Sequence, residues 1–390
     1  MASSLHIVAD VNIPCVESAF GEMGEITRYP GREIGPSAVE TADVLLVRSV
    51  TPVDETLLQD SAVQFVGSAT IGTDHVDQAY LDAADIAFAH APASNADSVA
   101  DYVVAARLRL AQRRGVSLEG QTVGLVGCGN IGSRLARRLP ALGLTVLKND
   151  PPRAEAADGP HDFVPLDTVL DRADIVTCHV PITTERPHPT HHLLSEDALA
   201  RLSTDAWFIN TSRGRVVDND ALLAALRDEQ IGAAVLDVWE GEPTPTPALV
   251  EAVDIATPHI AGYAYDGKVR GTSMLYEALC DHLGVEQTWT ADTVLTPDAP
   301  DALRCQAPDP RLPRTDWLDH LARQAYDLPA DDARMRGYLQ KPSEERGDYF
   351  RHLRATYPTR REMQIQTVPA PGVPPSYRTA VTDGLTLQCV

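Results

Sequence analysis

Residues 122–132 constrain the fold of this chain more than any other stretch. Thr122-Val123-Gly124-Leu125-Val126 reads as a short buried strand, Gly127-Cys128-Gly129-Asn130-Ile131-Gly132 as a glycine loop, and Ile131 to Leu142 as a helix. A G-x-G-x-x-G held between a strand and a helix is the first turn of a dinucleotide-binding fold. Gly127 permits the tight turn, Gly129 lets the backbone approach a pyrophosphate, and Gly132 lets the helix pack on the sheet with its N-terminus toward the phosphates. The next strand closes at Lys148-Asn149-Asp150. A carboxylate there accepts both ribose hydroxyls and repels a 2′-phosphate, which selects NAD over NADP. The competing reading of Asp150 is a turn residue ahead of Pro151-Pro152. Pro140 should kink or end the helix.

The surrounding pattern is α/β. Short apolar runs at 5–9, 44–47, 65–67 and 86–88 alternate with polar, periodic segments, which predicts a first parallel-sheet domain. Residues 96–113 carry apolar side chains at helical spacing and bridge into a second strand series at 122–126, 145–147, 175–178, 207–210, 233–236 and 255–257. Beyond about 286 the texture changes, with Pro297, Pro300, Pro308, Pro310 and Pro313 followed by a helix-like, Arg-rich segment from Trp317 to Arg361. This reads as a linker and a smaller third domain.

A formal net charge of −22 disfavours nucleic acid and anionic membranes as partners, because either would be repelled. Lys148, Lys268 and Lys341 are the only lysines. Acidic excess with lysine depletion fits either a GC-rich genome or a high-salt cytoplasm. The cysteines, Cys15, Cys128, Cys178, Cys280, Cys305 and Cys389, are widely spaced, with no CxxC pair. The expectation is a reduced cytoplasmic protein with neither a signal peptide nor a spanning helix. His75 and the group His188, His191 and His192 invite a metal reading, but no ligand set is fixed by spacing, so no metal is expected.

Three residues stand in an order that suits oxidation of a hydroxyl beside a carboxylate: Arg213 after Trp207–Asn210, Glu242 in Trp239-Glu240-Gly241-Glu242-Pro243, and His259 in Thr257-Pro258-His259-Ile260-Ala261-Gly262-Tyr263. The chemistry needs a cationic fork for the carboxylate, a base near neutral pKa for the hydroxyl proton, and an anion to support the base. Glu240 competes with Glu242 for the last role on sequence alone.

With these motifs, Ala173-Asp174-Ile175-Val176-Thr177-Cys178-His179-Val180-Pro181 and Asn210…Arg213-Gly214…Asp218, the chain resembles the D-isomer-specific 2-hydroxyacid dehydrogenases over roughly residues 5–290. Val47-Arg48-Ser49-Val50-Thr51, Gly67–Asp77, Trp239–Pro243 and His259–Tyr263 narrow the likeness to a branch that oxidises a phosphorylated 2-hydroxy acid in vitamin B6 biosynthesis. Phosphoglycerate oxidation, and a corepressor that only senses NAD, are the rival readings. The resemblance implies two doubly wound parallel-sheet domains, a flavodoxin-like substrate domain (1–95 and 264–288) and a Rossmann-type NAD domain (96–263). It adds a small α+β dimerisation domain (289–390), hence a cytoplasmic homodimer. It implies catalysis by Arg213, Glu242 and His259, and NAD contacts from Gly127, Gly129, Asn130, Ile131, Gly132, Asp150, Val180, Ser212, Asp237 and Gly262. Substrate contacts would come from Arg48, Ser49, Thr70 and Tyr263. Val180 stands where the family pattern has threonine. Arg48 is the nearest sequence candidate for the substrate phosphate, with Arg360 or Arg361 of a partner subunit as alternatives.

Overall fold

The computed structural model describes residues 4–157, 162–295, 302–306, 309 and 313–390. The chain forms two compact units, one built from residues 1–95 and 264–299 and the other from 96–263 and 300–390.

The first unit holds five parallel strands, β1 (Leu5–Asp10), β2 (Gly24–Tyr29), β3 (Val44–Val47), β4 (Phe65–Ser68) and β5 (Ala87–His90), in the order β2-β1-β3-β4-β5. This is the doubly wound order whose direction reverses between β1 and β3. β3 and β4 are buried along their whole length, as the apolar runs Val44–Val47 and 65–67 require. β2 escapes sequence patterning: Gly-Glu-Ile-Thr-Arg-Tyr has no apolar run because it is an edge strand with only half-buried faces. Helix Tyr265–Leu283 returns to this unit and packs Leu275, Tyr276 and Leu279 against Ile7, Phe20 and Phe65.

The second unit contains β6 (Thr122–Val126), β7 (Thr145–Asn149), β8 (Ile175–Cys178), β9 (Trp207–Asn210), β10 (Ala233–Leu236) and β11 (Ile255–Ala256), parallel and ordered β11-β10-β9-β8-β6-β7. Beyond β7, a single parallel bridge from Phe163 to Lys148 stands where a dinucleotide-binding sheet has a further strand. Helix Ala96–Arg114 is buried on nearly every side, and helix Asn130–Ala141 ends one residue after Pro140.

The C-terminal residues fold onto this same unit. Helices Arg314–Ala325, Leu328–Arg336 and Arg346–Ala355 replace the continuous helix-like segment expected over 317–361. The interruption after Ala325 is fixed by Asp327, which caps Leu328–Arg336 by accepting from the Ala330 amide. β12 (Thr367–Val368) and β13 (Gln388–Cys389) then form a short parallel pair. Of the prolines expected in the linker, Pro297, Pro300, Pro308 and Pro310 lie outside the described residues.

Leu318, Leu321, Met363, Val381 and Leu385 share one apolar core with Tyr102, Val103, Leu110 and Leu139. Asp101 is paired with Arg138 at 2.8 Å and accepts the Met363 amide at 2.9 Å inside that contact. Burial pushes the Asp101 carboxyl up to about 6 against the pull of Arg138. Cutting the chain ahead of Leu303 is expected to expose this core and yield aggregated protein instead of a working dinucleotide domain. Soluble yield and NAD binding of the truncated chain check this.

Candidate active site

The glycine loop meets the requirements of a pyrophosphate cradle. Gly127 has φ +91, and a Cβ there would lie 2.7 Å from the His179 carbonyl oxygen. At Gly132 a Cβ would collide with the Gly127 carbonyl, so helix and loop are in direct contact. Around Gly129 nothing lies within 4 Å of a Cβ position, and no side chain caps the helix that begins at Asn130 and Ile131. Uncapped amides behind an open glycine are what a diphosphate needs. The loop follows β6 and His179-Val180 follows β8, so the site lies where the strand order reverses.

Asp150 Oδ2 accepts the Cys128 amide at 2.8 Å and Oδ1 accepts the Arg153 amide at 3.2 Å. It therefore ties the glycine loop to β7 and caps helix Pro151–Glu155, and each oxygen keeps acceptor capacity for a ribose hydroxyl. Asp150→Ala is expected to raise KM for NAD and increase the NADP/NAD ratio of kcat/KM, measured with both cofactors at saturating substrate. Val180 presents an apolar side chain to the loop, its Cγ1 lying 2.8 Å from a Cβ position on Gly127. His179, between Thr177 (3.0 Å) and Thr211 (3.4 Å), is driven down to about 3 by burial and stays neutral.

Arg213 is presented by a turn that β9 dictates. Asn210 Oδ1 accepts from the Ser212 amide (3.0 Å) and hydroxyl (2.8 Å), and Asn210 Nδ2 donates to the Arg213 carbonyl at 2.9 Å. Gly214 is obligatory, since any Cβ would collide with the Trp239 carbonyl. The Arg213 turn thus lies directly on the loop that carries Glu240 and Glu242.

His259 is fixed from β10. Buried Asp237 accepts from the Thr257 hydroxyl (2.7 Å) and the amides of Ile260 (2.7 Å) and Ala261 (2.9 Å). Its carbonyl accepts the His259 amide at 2.7 Å. Asp237 thereby organises the whole 257–261 turn, a role sequence reading did not give it. Gly262 follows directly, and the Tyr263 amide closes the turn on the Ile260 carbonyl at 2.9 Å. His259 itself has φ 57, a left-handed conformation that costs about 1–3 kcal/mol outside glycine.

That conformation sets His259 Nδ1 at 2.9 Å from Glu242 Oε2, while Glu242 Oε1 accepts the Trp239 amide at 2.9 Å. Burial alone would raise the Glu242 pKa. The imidazole of His259 and the guanidinium of Arg354 outweigh it, and the carboxyl titrates below its ordinary value. Glu240 is engaged elsewhere, with His192 Nε2 at 2.8 Å and the Asn219 amide at 3.1 Å. Geometry therefore separates two glutamates that the sequence left equal. With Nδ1 held as donor to the carboxylate, Nε2 is the nitrogen left to exchange a proton. His191, His192 and Glu240 bring ligand atoms within 4.8 Å of one another, a metal-compatible spacing in which Glu240 is already hydrogen-bonded twice.

In the first unit, Arg48 and Ser49 follow β3, with Ser49 exposed. Thr70 follows β4, its hydroxyl 2.8 Å from that of Ser68 and donating to the Gly72 carbonyl at 3.1 Å. Arg48 and Ser49 stand at the carboxyl edge of β3, beside the reversal between β1 and β3, and Thr70 stands at the same edge after the neighbouring β4.

Arg354, missed in the sequence, and Arg360, raised there only as a phosphate ligand from a partner subunit, come from the C-terminal segment. Arg354 Nε donates to the Tyr263 hydroxyl at 3.1 Å, and its guanidinium lies 5.5 Å from the Tyr263 ring centre. Arg360 is buried, donates to the Ala261 carbonyl at 2.5 Å and stacks 4.1 Å above Tyr326. Its Nη2 is thereby committed to the turn that carries His259. Nothing in the local pattern of 346–361 marks these two contacts, because they span 91 and 99 residues of chain.

Residues 78–261 match the NAD-binding domain of the D-isomer-specific 2-hydroxyacid dehydrogenases, and residues 311–375 match a domain of unknown function, DUF3410. The chain is 63% identical over 389 residues to an erythronate-4-phosphate dehydrogenase of Salinibacter ruber, covering 99% of each chain. It is 46% identical to the protein of the same name from Azotobacter vinelandii, covering 97% of this chain and 98% of that one. Among solved structures it resembles the TT0316 protein of Thermus thermophilus, at 26% identity and TM-score 0.60, covering 73% of this chain and 99% of that one. The fold is also that of a D-lactate dehydrogenase of Aquifex aeolicus, at 24% identity and TM-score 0.60, covering 71% and 95%.

Proposed function

From the premise that the chain belongs to the erythronate-4-phosphate dehydrogenase family of D-isomer-specific 2-hydroxyacid dehydrogenases, we propose that it oxidises 4-phospho-D-erythronate to 2-oxo-3-hydroxy-4-phosphobutanoate in pyridoxal 5′-phosphate synthesis. It is an NAD-dependent dehydrogenase. NAD, when bound, supplies the carbon that accepts the hydride from C2. The residues offered to it are Gly127, Gly129, Asn130, Ile131, Gly132, Asp150, Val180, Ser212, Asp237 and Gly262.

His259 Nε2 takes the C2-hydroxyl proton as the carbonyl forms. Glu242, ionised and 2.9 Å from Nδ1, fixes the ring and stabilises the imidazolium. Arg213 clamps the C1 carboxylate with its planar fork. Tyr263, Ser49, Thr70 and Arg48 contribute polar contacts to the remainder of the substrate. The His259–Glu242 pair carries this reading, because binding a cofactor alone needs no base and no carboxylate behind it. On the same reading the enzyme is a cytoplasmic homodimer joined through residues 289–390, which sizing by light scattering tests.

Steady-state assays with NAD on 4-phospho-D-erythronate, 3-phospho-D-glycerate, D-erythronate and D-lactate test the function. The highest kcat/KM is expected on 4-phospho-D-erythronate. A preference for 3-phospho-D-glycerate would move the assignment to the sister reaction, and turnover of none would leave a protein that only binds NAD.

A further inference from the structure

An acidic chain that handles a substrate with two anionic ends needs a second cation beside the reacting carbon. Arg213 accounts for the carboxylate. The segment that folds onto the second unit supplies another guanidinium at the right loop. Arg354 lies in the last turn of helix Arg346–Ala355, where a cation ordinarily does no more than offset the helix dipole. Here its side chain instead reaches Tyr263, four residues after His259, and is oriented by Nε donation to the Tyr263 hydroxyl at 3.1 Å. That bond uses one of the five guanidinium N–H groups and leaves both terminal nitrogens without an acceptor among the described residues. The cation–ring contact at 5.5 Å holds the plane in place. The guanidinium is close enough to Glu242 and Asp237 for those carboxylates to act on it, so it belongs to the electrostatics of the His259 pair.

The comparisons point the same way. Relatives named for a phosphorylated acid match this chain over 91–99% of its length, whereas the D-lactate dehydrogenase fold covers 71%. A separate family profile covers residues 311–375, which include Arg354. The extra segment therefore brings to the His259 loop a cation that a substrate with a single anionic group does not need.

Resting on the substrate reading above, we propose that Arg354, oriented by Tyr263, binds the phosphate of the substrate with its two terminal nitrogens and so sets the preference for phosphorylated 2-hydroxy acids. Phosphate oxygens match the planar fork of arginine, and a lysine would offer only a point charge. Arg360, buried against Tyr326 and bonded to the Ala261 carbonyl, holds the same loop.

Three full-length enzymes test it: wild type, Arg354→Met and Arg354→Lys, each checked for an unchanged circular dichroism spectrum. The ratio of kcat/KM on 4-phospho-D-erythronate to that on D-erythronate is expected to fall about 100-fold in Arg354→Met, chiefly through KM, and to recover in part in Arg354→Lys. Inorganic phosphate, titrated calorimetrically into the NAD-loaded proteins, should bind wild type and not Arg354→Met. An equal loss on both acids, or unchanged phosphate binding, would overturn the proposal and make Arg354 a positioning residue for Tyr263 and Glu242. If the wild type itself ignores 4-phospho-D-erythronate while phosphate binding still depends on Arg354, the substrate reading fails and the anion site stands.

Discussion

A His259→Asn enzyme is expected to lose about two to four orders of magnitude in kcat, in oxidation and in reduction alike, while binding NAD like the wild type. Asparagine is the informative replacement because it tolerates the left-handed backbone found at φ 57, so the turn is not put under new strain. The turn itself is set by Asp237, whose carboxylate and carbonyl take four bonds from residues 257–261, none of them through the His259 side chain. Loss of rate with an intact turn isolates the proton transfer. Steady-state rates with a parallel fluorescence titration of NADH check both halves. Retained kcat would place the base elsewhere and leave the His259–Glu242 contact a structural one.

Much of this site was legible because parallel sheets write themselves into sequence. β3, β6, β8, β9 and β10 are buried along nearly all their length, and their predominantly apolar runs mark them to the residue. In such sheets chemistry collects just after strand ends, so Arg213 after β9 and Asp150 after β7 follow once the strands are placed. What patterning cannot give is a choice between neighbours of equal character. Glu240 and Glu242 differ only in where the Trp239–Pro243 loop turns them, one toward His192 and one toward His259. β2 was lost for the opposite reason, since a half-buried edge strand with alternating polar residues carries little signal.

The C-terminal residues show a second kind of silence. Prolines and a run of arginines read as a linker and a separate helical body, yet Leu318, Leu321, Met363 and Leu385 complete a core begun by the helix Ala96–Arg114. Arg138 reaches the Gly384 carbonyl at 3.0 Å across 246 residues of chain. Apolar periodicity says that a helix has a buried face and does not say which partner buries it. The same limit hid Arg354, a surface-type residue in its local pattern and a neighbour of the reacting loop in the fold.

Arg213→Lys is expected to lower kcat/KM for the 2-hydroxy acid by at least about tenfold, with the Kd for NAD little changed. The Arg213 turn is held from outside its own side chain: the Asn210 side chain bonds the Arg213 carbonyl and the Ser212 amide, and Gly214 lies against Trp239. Lysine therefore keeps the charge and the approximate reach, and loses the planar pair of donors together with the Nη1 bond to the Ser212 carbonyl at 2.9 Å. If the carboxylate is gripped by two parallel bonds that orient C2 toward His259, a single ammonium leaves it free to rotate, and the loss falls on kcat as well as KM. A loss confined to KM would mean that Arg213 supplies attraction without orientation. Unchanged kcat/KM would mean that another cation holds the carboxylate. Kinetics on one acid, with NAD saturating and its affinity measured separately, distinguish the three outcomes.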